Sequence, residues 1–197
     1  MSPTPEPIAT RDRFIHAASS LFAEKGFYGA SMDQIAREVG LTKQALIHHF
    51  GSKEKLYGAV LQGISERLLA QLEKQPEGAA SFAVAVERLY QTTLKNPGDT
   101  RLLMRELLDN RARAAKAGTW YLRPFLDGLA ERLRQQPGWE KAKARDIAAH
   151  VYQILGAINF FAVSTVTLEQ MYSAAHVKAM REAFPAQLRQ LAGLTLN

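Results

Sequence analysis

Apolar residues recur at spacings of three and four along most of this chain, and no run of alternating β-branched residues marks a strand, so the pattern predicts an all-α protein. The first helix is expected from a cap at Thr10 to about Lys25, with Phe14, Ala17, Ala18, Leu21 and Phe22 on one face and Gly26 as its stop. Ser31 followed by Gln34 is a capping-box pattern, and Ile35, Ala36 and Val39 give the helix behind it an apolar face. Gly40 ends that helix, since glycine takes left-handed dihedrals without steric cost. Thr42 then caps a short helix whose Leu46 and Phe50, four apart, face inward together. Phe27 and Tyr28 are expected to help close this small core. Ser52 caps a fourth helix running to about Gln75, with Leu56, Val60, Ile64, Leu68 and Leu72 repeating every four residues. At 1.5 Å per residue it is roughly 35 Å long, enough to leave the first core and enter a second. Gly58 and Gly63 inside it each cost about 1 kcal/mol against alanine, which fits close packing, bending or simple tolerance.

Breakers at 75–78, 96–99 and 136–138 divide the remainder into helices expected near 79–95, 100–117, 120–135, 140–166 and 174–191. The stretch 140–166 is apolar on two sides: Ile147, Val151, Ile154, Leu155, Ile158 and Ala162 form one stripe, and Ala149, Tyr152, Gly156, Phe160 and Val163 another. Such a helix must be covered twice, by its own domain or by another subunit. The last helix offers Val177, Met180, Phe184, Leu188 and Leu191, so pairing both helices with their mates in a symmetric dimer would cover the surplus. Pro185 is expected to bend or break it. The expected organisation is a disordered tail over 1–9, an N-terminal three-helix helix-turn-helix domain over 10–52, and a C-terminal helical domain over 53–197.

Composition narrows the picture only a little. With 197 residues, 47% of them hydrophobic, the chain can bury a real core. It has no cysteine, which excludes disulfides and thiolate metal sites and fits a reducing compartment. The proline-rich start lacks the basic and apolar regions of a signal peptide. The longest apolar stretch, Ile154 to Val166, is read as too short to cross a bilayer, and no membrane partner is expected. The net charge of +6 invites a nucleic-acid reading, but residues 11–55 hold seven Lys or Arg against five acids, whereas residues 101–145 hold eleven against five. The basic excess therefore lies mainly outside the helix-turn-helix, and the DNA-binding argument rests on pattern rather than charge.

The short helix after Thr42 turns Lys43, Gln44, Ile47 and His48 outward, residue types that reach phosphates and base edges from a helix in the major groove. His48 and His49 are neighbours on a helix and point about 100° apart, so they cannot ligate one ion from a shared face, and no metal or cofactor is expected. No serine or carboxylate is spaced with His16, His150 or His176 as a catalytic set requires. Trp120, Tyr121, Arg123 and Phe125 cluster near a helix start, and Tyr152, Asn159 and Phe160 lie on the long apolar helix. With Met104 they are candidates for the lining of a small-molecule cavity, although core packing and one satisfied asparagine explain the same residues. Arg111, Arg113 and Lys116 would either select an anionic ligand or form a solvated helix end.

Phe22, Gly26, Phe27, Ser31, Ile35, Ala36, Gly40, Leu46, His49, Phe50, Lys53 and Leu56, in this order and spacing, closely resemble the DNA-binding domain of TetR-type transcriptional regulators. The likeness covers residues 10–57; beyond it only length and helical layout agree. It implies a cytoplasmic homodimer that binds a palindromic double-stranded operator and responds to a small-molecule effector held in a C-terminal domain. The dimer would form through the last two long helices, and the regulator is expected to act as a repressor without enzymatic activity. Carried onto this chain, the resemblance implies that Thr42 and Lys43 touch phosphate, with Lys43 able to reach guanine. Gln44 would read adenine, and Ala45 would meet a thymine methyl. Ser31, His49 and Lys53 would grip the backbone. Ile47 departs from the family's usual tyrosine, so a phenolic phosphate contact is lost and either His48 replaces it or the contact becomes apolar. The competing reading is a helical scaffold whose helix-turn-helix does not read DNA.

Overall fold

The structure, a computed structural model, describes residues 9–74, 81–109 and 121–194. Among these residues the chain forms nine helices and no strand. They are α1 (Thr10–Gly29), α2 (Met32–Glu38), α3 (Lys43–Phe50), α4 (Lys53–Glu73), α5 (Ser81–Lys95), α6 (Pro97–Asp109), α7 (Arg123–Arg134), α8 (Ala144–Met171) and α9 (Ala174–Ala192).

Two apolar cores organise them. The first joins Phe14, Phe22, Ile35, Leu46 and Phe50 from α1 to α3 with Leu56, Tyr57, Val60 and Ile64 of α4 and Leu102 of α6. The second gathers Phe82, Tyr90, Phe125, Leu133, Trp139, Ile147, Ile154, Ile158 and Leu188. Leu72, near the end of α4, belongs to the second core, so one helix serves both. The expected boundary between residues 52 and 53 thus falls where α4 starts, and the first half of that helix packs into the first core, with α1 to α3 as the head of the molecule.

Several boundaries differ from expectation for local reasons. Thr10 is not the cap of α1: Ala9 holds that place without a side-chain bond, and Thr10 lies inside the first turn. Gly26 does interrupt the helix, with φ +71°, but a further turn carries it to Gly29. Tyr28 lies on the surface at 75% exposure, whereas Phe27 stacks on Phe22 and meets Tyr57 edge-on with ring centroids 5.1 Å apart. The sixth helix begins at Pro97, which suits the first turn because proline has no amide hydrogen to leave unpaired. The long helix starts later than expected, at Ala144, and continues five residues past Val166 to Met171. Its 28 residues make it long and apolar enough to cross a membrane, contrary to the length argument from Ile154–Val166, and only 28% of its most apolar window is buried within the chain. Pro185 sits inside α9 without ending it. The expected disordered tail lies outside the described residues, apart from Ala9.

Candidate nucleic-acid interface and effector cavity

The helix-turn-helix is assembled by caps. The Ser31 hydroxyl accepts from the Gln34 amide at 3.2 Å, while the Gln34 side chain accepts from the Ser31 amide at 3.2 Å, completing the capping box. Gly40, at φ +68°, turns the chain after α2, and the Leu41 amide donates back to the Ala36 carbonyl at 3.0 Å. Arg13 of α1 donates to the Val39 carbonyl at 2.7 Å, pinning the turn to the first helix. Thr42 caps α3 by accepting from the Ala45 amide at 3.2 Å. Gly51, at φ +76°, ends α3, and Ser52 caps α4 by accepting from the Lys55 amide at 3.3 Å.

With Leu46 wholly buried and Phe50 7% exposed, α3 has one rotational setting, and its other face is fixed by geometry. Thr42, Lys43, Gln44, Ile47, His48 and His49 are exposed on that side, with Ala45 half-buried. Lys43 is ion-paired to Asp33 of α2 at 2.9 Å. His49 sets its ring 5.7 Å from Phe14 and 5.9 Å from His48. Lys53, half-buried, places its ammonium 4.7 Å from the centre of the Phe27 ring. Half-buried Ser31 stands at the head of α2. The nine residues singled out from the sequence therefore cluster around the start of α2, along α3 and at the start of α4.

Behind the head, α4 to α8 enclose a cavity of about 400 Å³. Its apolar wall includes Leu68, Leu89, Leu103, Met104, Phe125 and Leu155. Of the expected lining, Met104, Phe125, Tyr152 and Asn159 are in the wall. Tyr121, Arg123 and Phe160 are not. Tyr121 accepts through its carbonyl from Ser65 and lays its hydroxyl against Gly58, where a Cβ would sit 2.5 Å away. Gly58 is thus a close-packing position, whereas the space beside Gly63 is limited only by Arg67 at 3.5 Å. Arg123 pairs with Asp127 at 3.5 Å in solvent, and Phe160 is 67% exposed. Trp120, Arg111, Arg113 and Lys116 lie outside the described residues.

Apart from Asn159, sequence reasoning missed the polar part of the wall. Thr92, Thr93, Asn96 and Thr100 follow one another at helical spacing, and Gln71 and the Arg67–Asp99 ion pair, at 2.7 Å, join them from α4 and α6. The signal was present, but Asn96-Pro97-Gly98-Asp99 read as a break between helices. In fact Asn96 alone separates α5 from α6. Arg67, Asn96 and Asp99 also border a more open groove between α1 and α4, so the ion pair stands between the cavity and the head.

A short, capped helix with a polar outward face, seated on a head whose last helix also walls a cavity, defines a helix-turn-helix DNA-binding regulator. Residues 14–60 match the sequence profile of the bacterial regulatory proteins of the tetR family. The regulator UidR of Escherichia coli K12 is 33% identical over 134 residues, spanning 66% of this chain and 68% of UidR. The chain belongs to the TetR family of transcriptional regulators. The transcriptional activator FasR of Mycolicibacterium smegmatis is 27% identical over 148 residues, covering 73% of this chain and 68% of FasR. Among solved structures, the regulator FadR of Bacillus subtilis in complex with stearoyl-CoA superimposes with a TM-score of 0.70 over 94% of this chain and 99% of FadR. At 16% identity that likeness speaks for the fold alone.

Proposed function

We propose that this regulator is a cytoplasmic homodimeric repressor that holds a palindromic operator through two copies of α3 and releases it when a small molecule occupies the cavity behind α4. The observation that carries the reading is the shared helix. α4 begins at Lys53, directly after the Gly51–Ser52 turn that ends α3, and supplies Ile64, Arg67, Leu68 and Gln71 to the cavity wall. A ligand that binds one placement of α4 better than another shifts the population by that difference in affinity. In this division residues 10–52 read DNA and 53–197 sense and dimerise. Lys43, Gln44 and Ala45 face bases, Ser31, Thr42, His49 and Lys53 hold phosphates, and Ile47 and His48 complete the surface. We assign the chain no catalytic step.

Repression is the simplest sign for such a device, because losing the operator relieves a block without any contact to polymerase. A gel shift with the DNA upstream of the chain's own gene tests the reading. Retarded DNA carrying two protomers per site supports it. A chain that retards no DNA at low salt would be the helical scaffold instead.

A further inference from the structure

We propose that the cavity accepts an uncharged, largely apolar molecule bearing one hydrogen-bond donor, such as a hydroxyl or N–H, and rejects anions; this rests on the effector reading of the same cavity. The polar groups of the wall supply mostly unused acceptors. Thr93, 5% exposed, commits its hydroxyl proton to the Leu89 carbonyl at 2.8 Å and keeps only lone pairs to offer. Thr92 donates to the Gln71 side-chain oxygen at 2.7 Å and is left in the same state. Asn96 spends one amide hydrogen on the Thr92 carbonyl at 3.0 Å and retains its oxygen and one further hydrogen.

The charge on the wall is balanced. Arg67 and Asp99 hold each other at 2.7 Å, and no other Lys, Arg, Asp or Glu lines the cavity among the described residues. A carboxylate or phosphate entering here would exchange water for apolar side chains, acceptor lone pairs and the few amide hydrogens of Gln71 and Asn96, and the one cation among the described wall residues is already paired with Asp99. A neutral donor meets the opposite situation, since each unused lone pair can take its hydrogen. Asn159, half-buried in the wall and without a hydrogen-bond partner among the described residues, adds an amide that can serve either role. The apolar remainder of the wall takes the body of the molecule.

Calorimetric titration of the full-length protein near neutral pH with three probes sharing one body tests this: 2-naphthylmethanol, 2-methylnaphthalene and 2-naphthoate. The alcohol should bind about fivefold more tightly than the hydrocarbon and more than about tenfold more tightly than the carboxylate. Thr93→Val keeps the shape and removes an acceptor, so it should shrink the alcohol's advantage over the hydrocarbon and leave hydrocarbon binding nearly unchanged. Met104 is half-buried in the wall, so Met104→Trp puts a bulkier side chain into the cavity and should abolish binding of all three probes. Carboxylate binding as tight as the alcohol's, lost in Met104→Trp, would overturn the uncharged-donor class and leave the cavity reading standing. Failure of every probe, or binding that Met104→Trp does not touch, would overturn both.

Discussion

Lys43 enters the proposed interface already paired with Asp33, so part of its phosphate attraction is exchanged rather than gained when DNA binds. Gln44 carries no such charge and has an exposed amide that can meet adenine in two places. Gln44→Ala should therefore relax base preference, costing roughly 1–3 kcal/mol on the best sequence and little on others. Lys53→Ala should weaken all sequences alike and flatten the salt dependence by about one unit of slope. Equal effects from the two substitutions, read by fluorescence anisotropy across salt concentrations, would collapse the division between readers and anchors.

His150 belongs to the same scale but to a different property. It is 6% exposed between Trp139, with ring centroids 4.7 Å apart, and Phe82, and its Nε2 has no hydrogen-bond partner among the described residues. Burial holds its pKa below the ordinary value of 6.5, outweighing a backbone bond with Leu191 that raises it. The folded protein thus resists the proton that the unfolded chain accepts. The associated stability is full above 6.5 and is lost as pH falls through the depressed folded value. His150→Leu should flatten the fall in melting temperature between about pH 7 and pH 5, and an unchanged slope would show that other groups set the acid limb. The small polar caps Ser31, Thr42 and Ser52 were legible in the sequence because each acts on its own next turn. The surroundings of His150 were not, since Trp139, Phe82 and Leu191 reach it from three separate segments.

At the scale of elements, α3 was legible almost residue by residue because the Thr42 cap, the Ser52 cap of the following helix and the inward pair Leu46 and Phe50 fix where it starts, stops and faces. The cavity was legible only in part. Met104, Phe125, Tyr152 and Asn159 stood out as aromatic, sulfur-bearing or polar residues in apolar surroundings, but Tyr121 and Arg123 sit at the entry to α7 and turn elsewhere. Which way a helix start faces depends on its neighbours, and spacing along the chain does not report that. The same limit applied to α8, whose two apolar stripes were visible while its length was not. Its unburied stripe, with Tyr152 at 62% and Phe160 at 67% exposure, is the surface that a symmetric partner would cover. Phe160→Asp puts a charge on that stripe without disturbing the cavity wall, and should convert the dimer to a monomer in sedimentation velocity. A variant that sediments as wild type would place the subunit interface on another face.

The whole molecule works, on this account, as two cores bridged by one long helix. The head is held to the rest not only by α4 but by α6, where Tyr57 donates to the buried Glu106 at 2.8 Å and Arg105 donates to the Glu24 carbonyl at 3.2 Å. α6 contributes Thr100, Leu103 and Met104 to the cavity, so occupancy there bears on two of the head's supports at once. Two heads tied in this way to a symmetric dimer can read DNA only where two half-sites present their major grooves on one side of the duplex. The most direct measurement is selection of bound DNA from a random oligonucleotide pool by the purified protein. The account predicts an enriched inverted repeat with half-sites about 34–36 Å apart or a multiple of that spacing, and loss of the enrichment in Gln44→Ala. A pool that yields no enriched sequence, or a motif that Gln44→Ala leaves intact, would contradict it.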